Sequence, residues 1–114
     1  MKKDQLYLLP IDFDDGGKTY YCPGCVELIG LLESYPKLKE RIEIHYVDFP
    51  RPRPKLVELI GEENQGAPVL ILSEKPSDAP ANLKIEEANG WAFVSDAREI
   101  GEFLSWAHGT GLPH

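Results

Sequence analysis

The sequence predicts an α/β fold of order β-α-β-α-β-β-α, a four-stranded mixed sheet flanked by helices. Three observations predict it. Short runs rich in β-formers, Gln5–Leu9, Ile42–Phe49, Pro68–Leu72 and Gly90–Val94, alternate with segments of helical spacing. The first two runs are separated by enough chain for one crossover helix, which gives a right-handed βαβ unit with parallel strands. The chain's only two cysteines, Cys22 and Cys25, stand at the start of that crossover helix, beyond the carboxyl end of the first strand, where open α/β sheets gather their ligands.

Taken in order, Gln5-Leu6-Tyr7-Leu8-Leu9 is an uninterrupted apolar run closed by Pro10, as a strand buried on both faces requires. Residues 11–19 carry three aspartates and Gly16-Gly17 and read as a loop leading to the cysteines. From Pro23 to about Ser34, Val26, Ile29 and Leu32 with Leu28 and Leu31 mark an amphipathic helix limited by Pro36. Residues 37–41 offer a further turn. Ile42–Phe49 alternates with period two and is stopped by Pro50-Arg51-Pro52-Arg53-Pro54. Pro54 suits the first turn of a helix through Leu56, Val57, Leu59 and Ile60, with Gly61 ending it. Pro68 opens the third strand, where its missing donor falls outside the ladder. Residues 73–89 read as a loop insertion in which Asn82–Ile85 is the one candidate strand. After the fourth strand, Ser95-Asp96 with Glu99 has the form of a capping box for a last helix carried by Ile100, Phe103, Leu104 and Trp106. Gly109 ends that helix, and residues 109–114 are expected to be loose.

The totals bound what such a chain can do. One domain, residues 1–114, is expected, without repeats or dividing linkers. Twelve basic against 19 acidic residues leave a net charge of −7, which does not invite nucleic acid or anionic membrane. No apolar run approaches the ~20 residues of a membrane span, and the apolar run after Met1-Lys2-Lys3 is too short for a secretion signal. The expectation is a monomer in the cytoplasm, where a close cysteine pair points to redox or metal chemistry and not to a structural disulfide framework.

The spacing of the pair favours redox. Residues i and i+3 of a helical turn bring two sulfurs within bonding reach. Pro23 belongs at the first helical position, which makes Cys22 the N-cap, and the free N–H groups and helix dipole there favour a thiolate over a thiol. Cys25, one turn inside, fits a resolving role. A structural zinc site needs four ligands, whereas no second cysteine pair exists and His45, His108 and His114 lack ligand spacing; no metal is expected. Two inert core thiols are the plainer alternative.

Tyr21-Cys22-Pro23-Gly24-Cys25 resembles the glutaredoxin signature Tyr-Cys-Pro-Tyr-Cys, with Gly24 in place of the second tyrosine, and the layout of nearly the whole chain resembles the thioredoxin superfamily in its minimal, glutaredoxin form. That resemblance implies further roles. Ala67-Pro68-Val69 is similar to the cis-proline segment whose preceding backbone pairs with a bound peptide or glutathione. Ser95-Asp96 is similar to the pair that holds the γ-glutamyl end, and Lys18 to the lysine that meets a glycyl carboxylate, although it stands four residues before Cys22, one more than in glutaredoxins. Tyr21, Pro23 and Gly24 would form the rim. More narrowly, the Tyr-Cys-Pro-x-Cys motif with Val47–Arg53 and Gly61–Gln65 is similar to a bacterial thioredoxin-like family of unknown function.

The resemblance implies a thiol–disulfide oxidoreductase with Cys22 as nucleophile and Cys25 as resolving thiol. It would act on a disulfide-containing or glutathionylated protein, with no bound cofactor and with glutathione as a possible co-substrate. Arg51 and Arg53, at the carboxyl end of the second strand, are candidates for a substrate carboxylate, against the plainer reading of solvated charges. The rival function is a non-catalytic module that binds a protein or glutathione on the same scaffold.

Overall fold

A computed structural model describes residues 1–114. Its strands are β1 (Asp4–Leu8), β2 (Phe13–Asp15), β3 (Lys18–Tyr20), β4 (Ile42–Tyr46), β5 (Val69–Ile71), β6 (Glu86–Ala88) and β7 (Trp91–Ser95); its helices are α1 (Pro23–Ser34), α2 (Leu38–Arg41), α3 (Pro54–Ile60) and α4 (Ala97–His108). The main sheet has five strands in the order β4-β1-β5-β7-β6. β1 and β4 are parallel, as the crossover through α1 demands, and the remaining pairings are antiparallel. No helix is long and apolar enough to cross a membrane.

Side-chain alternation divides the core into two layers. Leu6 and Leu8 of β1, Leu70 of β5, and Ala92 and Val94 of β7 join one buried cluster with Cys25, Leu28 and Leu32 of α1 and Ile100, Phe103 and Leu104 of α4. Tyr7, Val69, Ile71 and Phe93 meet Leu56 and Ile60 of α3 in a second cluster on the other face. That is why β1 and β5 read as unbroken apolar runs: both of their faces are covered. Each fully buried leucine or isoleucine here contributes about 1.5–3 kcal/mol of transfer free energy.

Three expectations are corrected. The sheet has five strands, not four, because β6 forms a hairpin with β7 across Asn89-Gly90. Both turn residues have positive φ, 51° and 81°, and Asn-Gly is the pair best suited to such a turn. The added strand is therefore Glu86–Ala88, not Asn82–Ile85. The presumed loop before the cysteines folds as the β2–β3 hairpin, turned at Gly16 and Gly17 with φ 61° and 87°. The tail after Gly109 has no regular structure yet is docked: Thr110 is buried, Tyr35 Oη accepts from the Gly111 amide at 3.0 Å, and Ser105 Oγ donates to the Thr110 carbonyl at 2.7 Å.

Candidate active site: the Cys22–Cys25 dithiol

Both cysteines are free thiols. Cys22 is the N-cap of α1, in extended backbone at φ −87° and ψ 110°, with Pro23 at the first helical position. The Cys25 amide donates to Cys22 Sγ at 3.2 Å, so the first turn of the helix meets the sulfur with one of its free donors. Cys22 is half-buried and reachable; Cys25 is 2% exposed. Its Sγ accepts from the Leu9 amide at 3.4 Å, just past the end of β1. Burial pushes the Cys25 thiol up to about 12, helped by its hydrogen bond with Cys22 and opposed by the Leu9 amide and the positive charge of Arg53.

Gly24 lets the dithiol turn approach its neighbours. A Cβ there would lie 3.2 Å from Pro68 Cδ and 3.3 Å from Ala97 Cβ. The first turn of α1 therefore sits directly against the start of β5 and the start of α4. The Ala67–Pro68 peptide bond is cis, as is Arg51–Pro52, which nothing in the sequence had suggested. The Ala67 N–H and C=O take part in no hydrogen bond within the chain. Asp96 precedes Ala97 in an unusual conformation, φ 74° and ψ 135°, and its side chain makes no capping bond. The capping box expected of Ser95-Asp96 and Glu99 is thus absent, and the exposed Asp96, one residue before the Ala97 that faces Gly24, occupies a backbone region that costs a non-glycine residue about 1–3 kcal/mol. Ser95, at the end of β7, is half-buried.

The remaining predicted residues divide. Tyr21, at 59% exposure, and Pro23 border Cys22 at the surface. Lys18 is exposed at the tip of the β2–β3 hairpin, opposite Asp15 in the ladder, and makes no ion pair. Arg51 is exposed. Arg53 is 5% exposed and bonded entirely to backbone. Its Nε donates to the Asp48 and Phe49 carbonyls at 3.2 and 3.1 Å, Nη1 to the Gln65 carbonyl at 2.7 Å and Nη2 to the Phe49 carbonyl at 2.7 Å. Burial and these bonds correct the plainer reading of Arg53 as a solvated charge. Gln65 completes the tie, its Oε1 accepting from the Arg53 amide at 2.7 Å.

Sequence reading passed over three contributors. Phe13 stacks on Phe49 at 4.4 Å, which seats the β2–β3 hairpin over the loop after β4; Phe13 gave a signal only as the one aromatic among the aspartates of that loop. Gln65 was read only as the last residue of a family-like motif, without a role of its own, and the Leu9 amide gave no signal. No cluster of histidine, cysteine or acidic side chains is able to hold a metal.

A half-exposed helix-capping thiol and a buried thiol one turn behind it define an α/β protein with a dithiol at the carboxyl end of β1, an interior strand of its main sheet. Within that class the chain belongs to a family described as "Protein of unknown function (DUF3088)", whose model matches residues 3–112. Neither a curated protein nor a solved structure matches it.

Proposed function

We propose that the protein is a thiol–disulfide oxidoreductase of thioredoxin-like, glutaredoxin-related type. One observation carries the reading: Cys22 Sγ is reachable and accepts from the Cys25 amide, a free donor of the helix's first turn, while the Cys25 side chain is held in the core one turn away. Nucleophilic and resolving thiols need that division of exposure. The sheet order β4-β1-β5-β7, with only β1 and β4 parallel, supports the thioredoxin-like reading of the fold.

In the proposed reaction the Cys22 thiolate attacks one sulfur of a substrate disulfide. A Cys22–substrate disulfide forms as the substrate's own S–S bond breaks, and the leaving sulfur takes up a proton. Cys25 then loses its proton and attacks Cys22 Sγ; the Cys22–Cys25 bond forms and the second substrate thiol leaves. The dithiol gives up two electrons and the substrate disulfide gains them. The unpaired backbone of Ala67 would hold an extended substrate segment by strand-like hydrogen bonds. Glutathione or a flavoprotein reductase would restore the dithiol. Ser95 and the free carboxylate of Asp96 would meet an amino group such as the γ-glutamyl end of glutathione, with Lys18 and Arg51 the cations left for a carboxylate.

The test is turnover of a glutathionylated peptide or a small disulfide, coupled to glutathione and its reductase and, separately, to thioredoxin reductase. Cys22→Ser is expected to abolish turnover in both couplings. Undiminished activity in Cys22→Ser would sink the assignment.

A further inference from the structure

Arg53 has no partner of opposite charge. In a chain with 19 acidic residues its guanidinium is buried and forms no ion pair. Its three acceptors, the carbonyls of Asp48, Phe49 and Gln65, are neutral, and the face of the Phe49 ring lies 5.7 Å from its central carbon. Burying a charge without a counter-ion is costly, and hydrogen bonds to carbonyls offset only part of that. The dithiol is where a negative charge must appear. Backbone contacts connect the two places: Leu9 N–H holds Cys25 Sγ, the adjoining Leu8 carbonyl accepts from Val47 N–H, and the next two residues, Asp48 and Phe49, supply carbonyls to the guanidinium. Gln65, its third acceptor, lies two residues before Ala67.

We infer that Arg53 is a positioning residue for sulfur charge: its buried guanidinium is the counter-ion against which the Cys25 sulfur, and before it the Cys22 sulfur, becomes a thiolate during exchange. The inference rests on the proposed dithiol chemistry and names the group that enables its second step. Cys25 must lose a proton in a site that disfavours its charge by burial, and it cannot resolve a mixed disulfide as a thiol. A fixed cation in a low-dielectric site acts far more strongly than one in water. The attraction is mutual, since the two cysteines act on Arg53 against the lowering that burial and the neighbouring Arg51 impose on it. Cys22, Arg53 and, through Arg53, Arg51 are the charged groups that act on the Cys25 sulfur.

The experiment uses the reduced, full-length protein and dithionitrobenzoate, an aromatic disulfide whose released thiolate is coloured. Cys22 attacks the reagent, one aromatic thiolate leaves, and an aryl mixed disulfide remains on Cys22. Cys25 then gives its proton to solvent and attacks Cys22 Sγ, expelling the second aromatic thiolate. The second, first-order phase reports the Cys25 thiolate alone and is readable whether or not any biological disulfide is turned over, so failure of the proposed function and failure of this inference are distinguishable. In the native chain the second phase is expected to rise about tenfold per pH unit from about pH 6.5 to about pH 9, because Cys25 titrates above that range. Arg53→Met is expected to slow it at least about tenfold at every such pH, and Arg53→Lys, which keeps the charge and loses the fork, by less than about threefold.

A second phase unchanged in Arg53→Met, or one that falls equally in Arg53→Lys and Arg53→Met, would overturn the inference and leave Arg53 as a tie between loops. Should Arg53→Met not fold, Arg53→Gln, uncharged but still able to donate to the loop carbonyls, takes its place: a second phase at least about tenfold slower than in Arg53→Lys supports the proposal, and an unchanged second phase would overturn it.

Discussion

Raising the pH on the reduced protein should destabilise it through one sulfur. Cys25 has an ordinary value of 9.0 and is pushed up to about 12 in the folded chain, chiefly by burial. The raised value fixes the sign. Below pH 9 both folded and unfolded chains keep the proton, so the full stabilising contribution of the buried thiol is present. Above it the unfolded chain alone loses the proton, and stability falls until the folded thiol titrates. The whole shift corresponds to about 4 kcal/mol by about pH 12. Between about pH 9 and about pH 10.5 the loss is about 1.5 kcal/mol, which integrates the unfolded-state titration over that interval. Because Cys25 is only 2% exposed, solvent screening removes little of this.

The assay is urea unfolding of the reduced protein at several pH values from about 8 to about 10.5, alongside Cys25→Ala. Tyr7, whose hydroxyl is also raised by burial and by Glu43 and Glu58, contributes a loss of the same sign near the alkaline end. The Cys25→Ala protein retains Tyr7 and cancels it, so the difference in slope belongs to Cys25. A Cys22→Ser protein is expected to keep most of the slope, because burial outweighs Cys22 among the causes. Equal slopes in the native and Cys25→Ala proteins would refute the reasoning.

Two further outcomes follow from close approaches. Gly24→Ala places a methyl group 3.2 Å from Pro68 Cδ and 3.3 Å from Ala97 Cβ; crowding of about 1–3 kcal/mol outweighs the helical gain of about 0.5–1 kcal/mol. A net loss of about 1 kcal/mol and a Tm lower by roughly 3–6 °C are expected in calorimetry, and a raised Tm would contradict it. Gly101→Leu should dislodge the docked tail, because even a Cβ at Gly101 would lie 2.8 Å from Pro113 Cγ. Hydrogen exchange at the Gly111 amide, held by Tyr35 Oη, is then expected to quicken about tenfold, and unchanged protection would show that the tail accommodates the side chain.

How far the sequence carried differs from place to place, for physical reasons. β1 was legible because a strand covered on both faces must be apolar throughout, and Gln5–Leu9 is nearly so. α1 was legible at its very start, because a proline after the N-cap and apolar residues at helical spacing agree on one register. The hairpin strand β6 escaped because Glu86 and Glu87 are exposed edge residues with no hydrophobic pattern; Asn89-Gly90, a strong turn signal, was the available clue. The β2–β3 hairpin escaped because its strands are three residues each and mostly polar. At the site, the dithiol was legible from local chemistry, and the Ala67–Pro68 segment only through the family resemblance. Arg53 was not, since a proline-rich charged turn looks solvated, and only the folded loops after β4 and α3 supply the carbonyls that bury it. Asp96 read as a helix cap because its residue type fits that role, whereas its positive φ and unbonded carboxylate arise from tertiary placement.

The most direct test of the central claim is where a substrate sulfur stays when Cys25 is removed. Native and Cys25→Ser proteins, both reduced, are mixed with a disulfide-bonded peptide, quenched with acid and mapped by mass spectrometry. A persistent peptide adduct on Cys22 is expected in Cys25→Ser, and in the native chain a Cys22–Cys25 disulfide with released peptide thiol. An adduct on Cys22 that persists equally in both proteins, or no adduct on Cys22 in either, would contradict the claim.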